Sequence, residues 1–406
     1  MPVDEQIRTI GEDEFAAYAS AVETAFGNFV DAGDLERERS MAELDRSFAA
    51  FEGDRIVGTA TTVTMPMTVP GAELQVGFVT AVGVVPTHTR RGINTALMRR
   101  TLEDARDRGE AVDVLFASEG SIYGRFGYGM SAPELSLDVR TIHARFVRGY
   151  HSSGSIRLVD QQEGMDAVLA VHGSLRRGRP GYVELTPTRL TYALHDHGDD
   201  KGKPRFFALH EGKDGVDGYL VYRVKHDWET GTPENHLEVH LLDAANPGAY
   251  ADLWRYAFDV DLVARVSAWE RPADEPLLHL LREPRRLNAK RQDGLWLRLV
   301  DVPGALAARR YGTQGRVIFA VHDPFCRWNE GRYALEGGPD GASCTATSDE
   351  PDLVATVNEV AAAFMGGPSF RQLHRAGRVS EERVGALARA DAMFGWDPAP
   401  WYAFGF

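Results

Sequence analysis

"VTAVGVVPTHTRRGINTALMRR", residues 79–100, decides the fold of the first third of the chain. It opens on β-branched residues suited to a buried strand, and Pro86 ends the run. A helix pattern follows from Asn94 to Arg108. Met98, Leu102 and Ala105 fall on one face, and Gly109 stands where a C-terminal cap belongs. Between the two lies a basic loop. A loop entering a helix exposes N–H groups that no helical carbonyl satisfies, and the helix dipole adds positive potential. Arg90 and Arg91 place two cations there, and Gly92 lets the backbone approach a bulky anion. The segment reads as a pyrophosphate cradle, with an arginine pair solvated on a helix end as the plainer alternative. No GxxxxGK[ST] occurs in the chain, so this is not a P-loop.

Working outward, a polar helix is expected over Glu12–Phe26, then strands at Ser47–Glu52 and Arg55–Met65 joined by the turn Gly53-Asp54. Phe78–Val85 is the strand entering the cradle, and Val112–Ala117 the strand after its helix. The glycine-punctuated aromatic cluster "SIYGRFGYG", 121–129, follows directly. Residues 1–145 thus form an α/β domain. Residues 146–290 repeat the order: strands Phe206–His210, Val216–Lys225 and His236–Leu242, helix Gly248–Phe258, strand Leu262–Ala268. The repetition suggests a duplicated fold. Residues 291–406 begin with strand Gly294–Val300 and helix Val302–Tyr311. Strands Arg316–His322, Arg332–Glu336 and Ser343–Thr347 come next, then helices Ser369–Ala376 and Ser380–Met393. Strands first and helices later indicate an α+β domain.

With 45 basic against 59 acidic residues the net charge is −14, which repels nucleic acid and anionic lipid and favours cationic substrates, unless it serves solubility alone. No apolar run is long enough to span a bilayer, and the opening MPVDEQIRTIGEDEF lacks the pattern of a signal peptide. The two cysteines, Cys326 and Cys344, form no CxxC and have no neighbouring histidine pair, so neither a disulfide framework nor a structural zinc is expected. These features predict a cytoplasmic protein without metal, membrane insertion or nucleic-acid partner.

Three longer stretches carry a resemblance. "VGVVPTHTRRG" (82–92), "ASEGSIYGRFGYG" (117–129) and "RQDGLWLRLVDVPGALAAR" (291–309) match hallmarks of the enhanced intracellular survival (Eis) family of GNAT N-acetyltransferases. The resemblance implies two tandem GNAT-like domains followed by a sterol-carrier-protein-like domain, assembled as a homohexamer. It implies acetyl-CoA bound in the first domain only. The matching junction of the second, "LLDAANPGAYADLW", is acidic and lacks an arginine pair. The loop Thr89–Asn94 corresponds to the family's [QR]xxGxG/A motif, with threonine first and asparagine last.

The implied cosubstrate contacts are Val82, Gly83 and Val84 on a splayed strand, Arg90, Arg91, Gly92, Ile93, Asn94 and Thr95 at the helix entry, and Ser118 and Glu119 beyond the next strand. Ser118 has a plainer alternative role as a helix N-cap. Tyr123 aligns with the family's general acid, and the C-terminal carboxylate, carried by Phe406, with its general base. A terminal carboxylate is a weak base until burial raises it, and the tail "WYAFGF" is suited to burying it; a hydrophobic plug is the simpler role. Tyr128 and Phe126 read as packing, and Arg125 as a local anchor. The expected acceptor is an amine-bearing small molecule or a peptide lysine. Gly405, Asn28 and Ala81 replace the family's glutamate, aspartate and phenylalanine; unless Asp31, Asp34 or Glu36 compensates, this turns expectation from efficient aminoglycoside acetylation towards a polyamine, a lysine or a small metabolite, with an aminoglycoside still among the amines. The competing functions are a hydrophobic-ligand or lipid carrier and a non-catalytic acetyl-CoA-binding scaffold.

Overall fold

The computed structural model describes residues 7–31, 33–147, 149–195, 203–228 and 231–404. The chain divides into two units: one runs to Ala132 and takes in Asp293–Asp397, the other holds Pro133–Gln292 and the tail segment Pro398–Gly405.

The first unit begins with β1 (Ile7–Thr9), α1 (Phe15–Ala25) and α2 (Leu35–Met41), then β2 (Ser47–Glu52), β3 (Arg55–Val69) and β4 (Ala72–Val84). Next come α3 (Ile93–Asp107), β5 (Val112–Phe116) and the single turn α4 (Gly120–Tyr123); β6 (Gly129–Arg140) starts in this unit and passes into the second at Pro133. β2 has its expected bounds, with Gly53 at the hairpin in the left-handed region. β4 starts earlier than its β-branched run suggested, because Ala72–Val76 pairs with the extended end of β3. α3 buries Met98, Leu102 and Ala105 as its periodicity requires.

In the second unit, β7 (Ser155–Val159), α5 (Gln161–Leu175) and α6 (Pro187–Ala193) precede β8 (Phe206–Gly212), β9 (Gly215–Lys225) and β10 (Asn235–Ala244). α7 (Pro247–Asp259), β11 (Val263–Pro272) and α8 (Leu277–Leu280) complete it. Its sheet runs β6-β11-β10-β9-β8-β7, and α7 lays Leu253, Trp254, Ala257 and Phe258 into the core. His210 is buried between Asp217 and Asp252, 2.5 and 2.9 Å away, so both ring nitrogens have a carboxylate partner.

β12 (Lys290–Leu299) pairs antiparallel with β5, giving the first unit the order β1-β2-β3-β4-β5-β12. β6, which follows β5 in sequence, pairs instead with β11. The last part contains α9 (Val302–Ala308), β13 (Gly315–His322), β14 (Gly331–Gly338), β15 (Gly341–Ala346) and β16 (Leu353–Thr356). α10 (Val357–Ala363), α11 (Phe370–Arg375), β17 (Val379–Glu381) and α12 (Ala386–Phe394) follow. The sheet order is β15-β14-β13-β16-β17. Phe319, Phe370 and Phe394 meet in its core, with ring centroids 4.9–5.9 Å apart.

Two expected helices are corrected. The one from Ser380 starts only at Ala386: Ser380 lies on edge strand β17, and Gly385 at φ 88° resets the backbone. The one to Tyr311 stops at Ala308, because Arg309 turns extended and buries its guanidinium against the carbonyls of Phe364 and Phe394.

Candidate active site

β4 and β5 pair in parallel only at Gly77–Asp113 and Phe78–Val114. Both strands continue, β4 to Val84 and β5 to Phe116, so the sheet parts past Phe78. The edge of β4 that faces the opening carries backbone groups without a strand partner. A bulge opens it: the β3–β4 register slips between Thr59 and Thr61, and Ala81 adopts φ 52°. Thr59 donates its hydroxyl to the Ala81 carbonyl at 2.8 Å and holds the distortion. Val82, Gly83 and Val84 lie half-buried along the opening. A Cβ on Gly83 would stand 2.6 Å from Ala25 Cβ, so only glycine lets the end of α1 close onto β4.

The cradle loop sits at the head of α3. Gly92, at φ 84°, is the N-cap and offers no side chain to the first-turn N–H groups. A Cβ added there meets nothing within 4 Å, so the ground before the helix is open. Arg90, Arg91, Gly92 and Thr95 are exposed, and Ile93 is buried beneath the loop. Asn94 is half-buried, with its side-chain oxygen unbonded. The two arginines differ. Arg91 is drawn back 3.6 Å from Glu52 and donates to the Thr87 carbonyl at 3.1 Å, whereas Arg90 has no ion pair among the described residues. Buried His88 bridges Thr87 and Glu52 at 2.8 and 3.0 Å and fixes the loop. Uncapped helix donors, open ground and an uncommitted arginine fit a pyrophosphate.

Beyond β5, Ser118 and Glu119 are exposed. Glu119, not Ser118, is the N-cap of α4, and no side chain caps it. The Tyr123 ring is 5% exposed and shares an apolar cluster with Val79 and Val82 of the opening. It meets Tyr128 and Phe126 edge-on at 6.0 and 6.4 Å. Its hydroxyl makes no hydrogen bond within the described residues, and burial holds its pKa above the ordinary phenol value, with Arg125 opposing. Tyr128 is fully buried, and Arg125 stacks 5.0 Å above the Phe126 ring. Both arrangements are packing.

The turn is also gripped from the last part of the chain. Asn358 on α10 donates to the carbonyls of Gly124 and Tyr128 at 2.7 and 2.8 Å. A Cβ on Gly129 would stand 2.0 Å from the Asn358 carbonyl oxygen, which accounts for that glycine. Sequence reasoning missed Asn358, whose only signal is a polar residue in the run VNEVAAA. It also missed Phe26 and Phe29, exposed rings just past α1, where "AFGNFV" was the available signal. Gly405 and Phe406 lie outside the described residues.

The matching junction in the second unit differs. The Asn246 side chain accepts from the Ala249 N–H at 2.9 Å, and Pro247 occupies the first helical position, so α7 presents a capped end. Among the described residues no three His, Cys, Asp or Glu side chains cluster as metal ligands. No helix among them is long and apolar enough to cross a membrane.

Residues 6–131 and 173–299 each match the model of an acetyltransferase (GNAT) domain, and 302–403 match a sterol carrier protein domain. An uncharacterized N-acetyltransferase of Streptomyces avermitilis is 40% identical over 98% of this chain and 99% of its own. The N-acetyltransferase Eis of Mycobacterium tuberculosis is 31% identical over 97% and 98%. The crystal structure of Eis1 from Mycobacterium abscessus superposes with a TM-score of 0.85 at 31% identity, covering 98% of this chain and all of that one. An opened strand pair, a basic glycine loop and three matching domains agree: the chain belongs to the Eis family of GNAT N-acetyltransferases.

Proposed function

We propose that the protein moves an acetyl group directly from acetyl-CoA to a primary amine, with Tyr123 as general acid and the C-terminal carboxylate of Phe406 as general base. The carrying observation is the buried Tyr123 phenol, without a hydrogen-bond partner among the described residues, clustered with Val79 and Val82 where β4 leaves β5.

Acetyl-CoA supplies the activated thioester. The Phe406 carboxylate takes a proton from the attacking amine, the new C–N bond forms, and the C–S bond breaks. Tyr123 gives its phenolic proton to the departing sulfur. With its pKa held above about 10, the phenol stays protonated at neutral pH until that moment. Open backbone donors along Val82–Val84 polarise the thioester carbonyl, a type of contact worth about 3 kcal/mol in other acyl transfers. Arg90, Gly92 and the first-turn N–H groups of α3 hold the pyrophosphate, with Ile93, Asn94 and Thr95 forming that turn.

The acceptor class follows from charge and from the mouth of the opening. A net −14 favours cations. Phe26 reaches the Gly83 side of β4 and offers an apolar wall, while Asn28 and Gly405 supply no charge. A polyamine, a lysine or a small amine suits this better than an aminoglycoside. By resemblance the assembly is a homohexamer, and composition favours the cytoplasm. Adding one residue after Phe406, or amidating the terminus, should abolish turnover and leave acetyl-CoA binding intact; normal turnover refutes the carboxylate's role.

A further inference from the structure

The sheet of the second unit parts as the first does. β10 and β11 pair in parallel from Asn235–Val263 to Val239–Ala268 and no further, although β10 runs on to Ala244 and β11 to Pro272. A bulge between Ala268 and Arg271, with Glu270 at φ 53°, turns β11 away. In front of α7 the unit keeps a cavity of about 720 Å³, bordered by Tyr182, Asn246, Tyr250 and Trp401. The outline of a coenzyme groove has therefore survived, although the capped end of α7 no longer suits an anion.

What fills the parted strands is peptide. The Trp401 indole N–H donates to the Glu270 carbonyl at 2.5 Å, and its backbone N–H to the Pro180 carbonyl at 2.9 Å. The ring lies 4.9 Å from the Arg271 guanidinium and 5.6 Å from the Tyr182 ring. Trp401 and Ala403 line, with His240, Leu242 and Glu270, a cavity of about 10 Å³, room for about one water. The Ala399 N–H donates to Asp274 at 3.0 Å, and Phe404 packs edge-on against His172 at 4.9 Å. Trp401, Tyr402 and Phe404 are all buried. Gly181, at φ 95°, is built for this contact: a Cβ there would stand 2.4 Å from the Trp401 carbonyl oxygen.

We infer that the second acetyltransferase-like domain is a receptor for the chain's own C-terminal segment, Pro398–Phe404, held where a GNAT domain holds the arm of its coenzyme. Trp401 is the principal positioning residue, because it joins a hydrogen bond to the β11 edge at Glu270 and one to the Pro180 turn with a cation–π contact to Arg271. That the anchored end delivers the Phe406 carboxylate rests on the function proposed above.

The test uses the full-length enzyme with Trp401→Ala, Trp401→Phe and Gly181→Val, read by hydrogen exchange of the tail, acetyl-CoA affinity and kcat. In Trp401→Ala and Gly181→Val the tail amides should exchange at least about tenfold faster. In both, kcat should fall about a hundredfold with acetyl-CoA affinity unchanged. Trp401→Phe, which keeps a ring, should recover most of kcat. A tail that stays protected in Trp401→Ala overturns the receptor, and a freed tail with normal kcat overturns its positioning role. Failure of the carboxylate reading alone looks different: the enzyme extended past Phe406 turns over normally while Trp401→Ala does not.

Discussion

The Asn358 side-chain amide donates to the Tyr128 carbonyl at 2.8 Å and, with its second N–H, to the Gly124 carbonyl at 2.7 Å. One residue from the last part of the chain thus fastens both ends of the turn that follows Tyr123. Tyr123, the acid proposed above, is held by packing and by this clasp, since its own hydroxyl makes no hydrogen bond among the described residues.

Asn358→Ala removes both bonds and leaves two carbonyls short of a partner. At about 1 kcal/mol per bond, stability should fall by about 2 kcal/mol in urea unfolding. Because the loss loosens the acid rather than the cradle, kcat should drop while acetyl-CoA affinity holds. Steady-state kinetics beside calorimetry checks the split; a weaker acetyl-CoA complex with unchanged kcat would contradict it.

Arg90 and Arg91 are adjacent in sequence but differ in commitment. Arg91 already serves Glu52 and the Thr87 carbonyl, and Arg90 is available to a phosphate. Arg90→Ala should weaken acetyl-CoA binding about tenfold, equivalent to about 1.4 kcal/mol. Arg91→Ala should cost less affinity. Calorimetry at two salt concentrations checks the ranking, and equal losses would mean that the tether to Glu52 is released on binding.

Alkaline stability follows from the buried phenols. Burial pushes Tyr18, Tyr123, Tyr128, Tyr182 and Tyr219 above their ordinary pKa. Above about pH 10 the unfolded chain sheds protons that the folded chain keeps, so stability is full below that value and falls as pH climbs towards the raised folded values. Each such tyrosine contributes a loss of about 1.4 kcal/mol per pH unit in that window. Urea midpoints should be insensitive to these tyrosines from pH 7 to about 9 and fall beyond about 10, with the tyrosinate absorbance of these five rising only on unfolding.

Much of this was legible beforehand where the signal is local. The hairpin at Gly53-Asp54, the buried face of α3 and the glycine at its head all follow from period and backbone freedom. Strand partnership was not. β12 read correctly as a strand and β6 was not read at all, and nothing in the residues of either says that β12 pairs with β5 and β6 with β11. The short apolar run Leu353–Ala363 proved to be a strand and then a helix, which periodicity alone cannot divide. At the site, Arg90, Gly92 and Tyr123 stood out by motif. Asn358 and Gly181 did not, because each matters through a partner more than two hundred residues away.

The most direct measurement is acetyl-CoA-dependent thiol release by Tyr123→Phe across a panel of polyamines, lysine peptides and small amines. Acetyl-CoA affinity should equal that of the parent enzyme and kcat should fall by about a hundredfold or more, the usual share of a general acid. A Tyr123→Phe enzyme that turns over at the parent rate on the same amine would contradict that role.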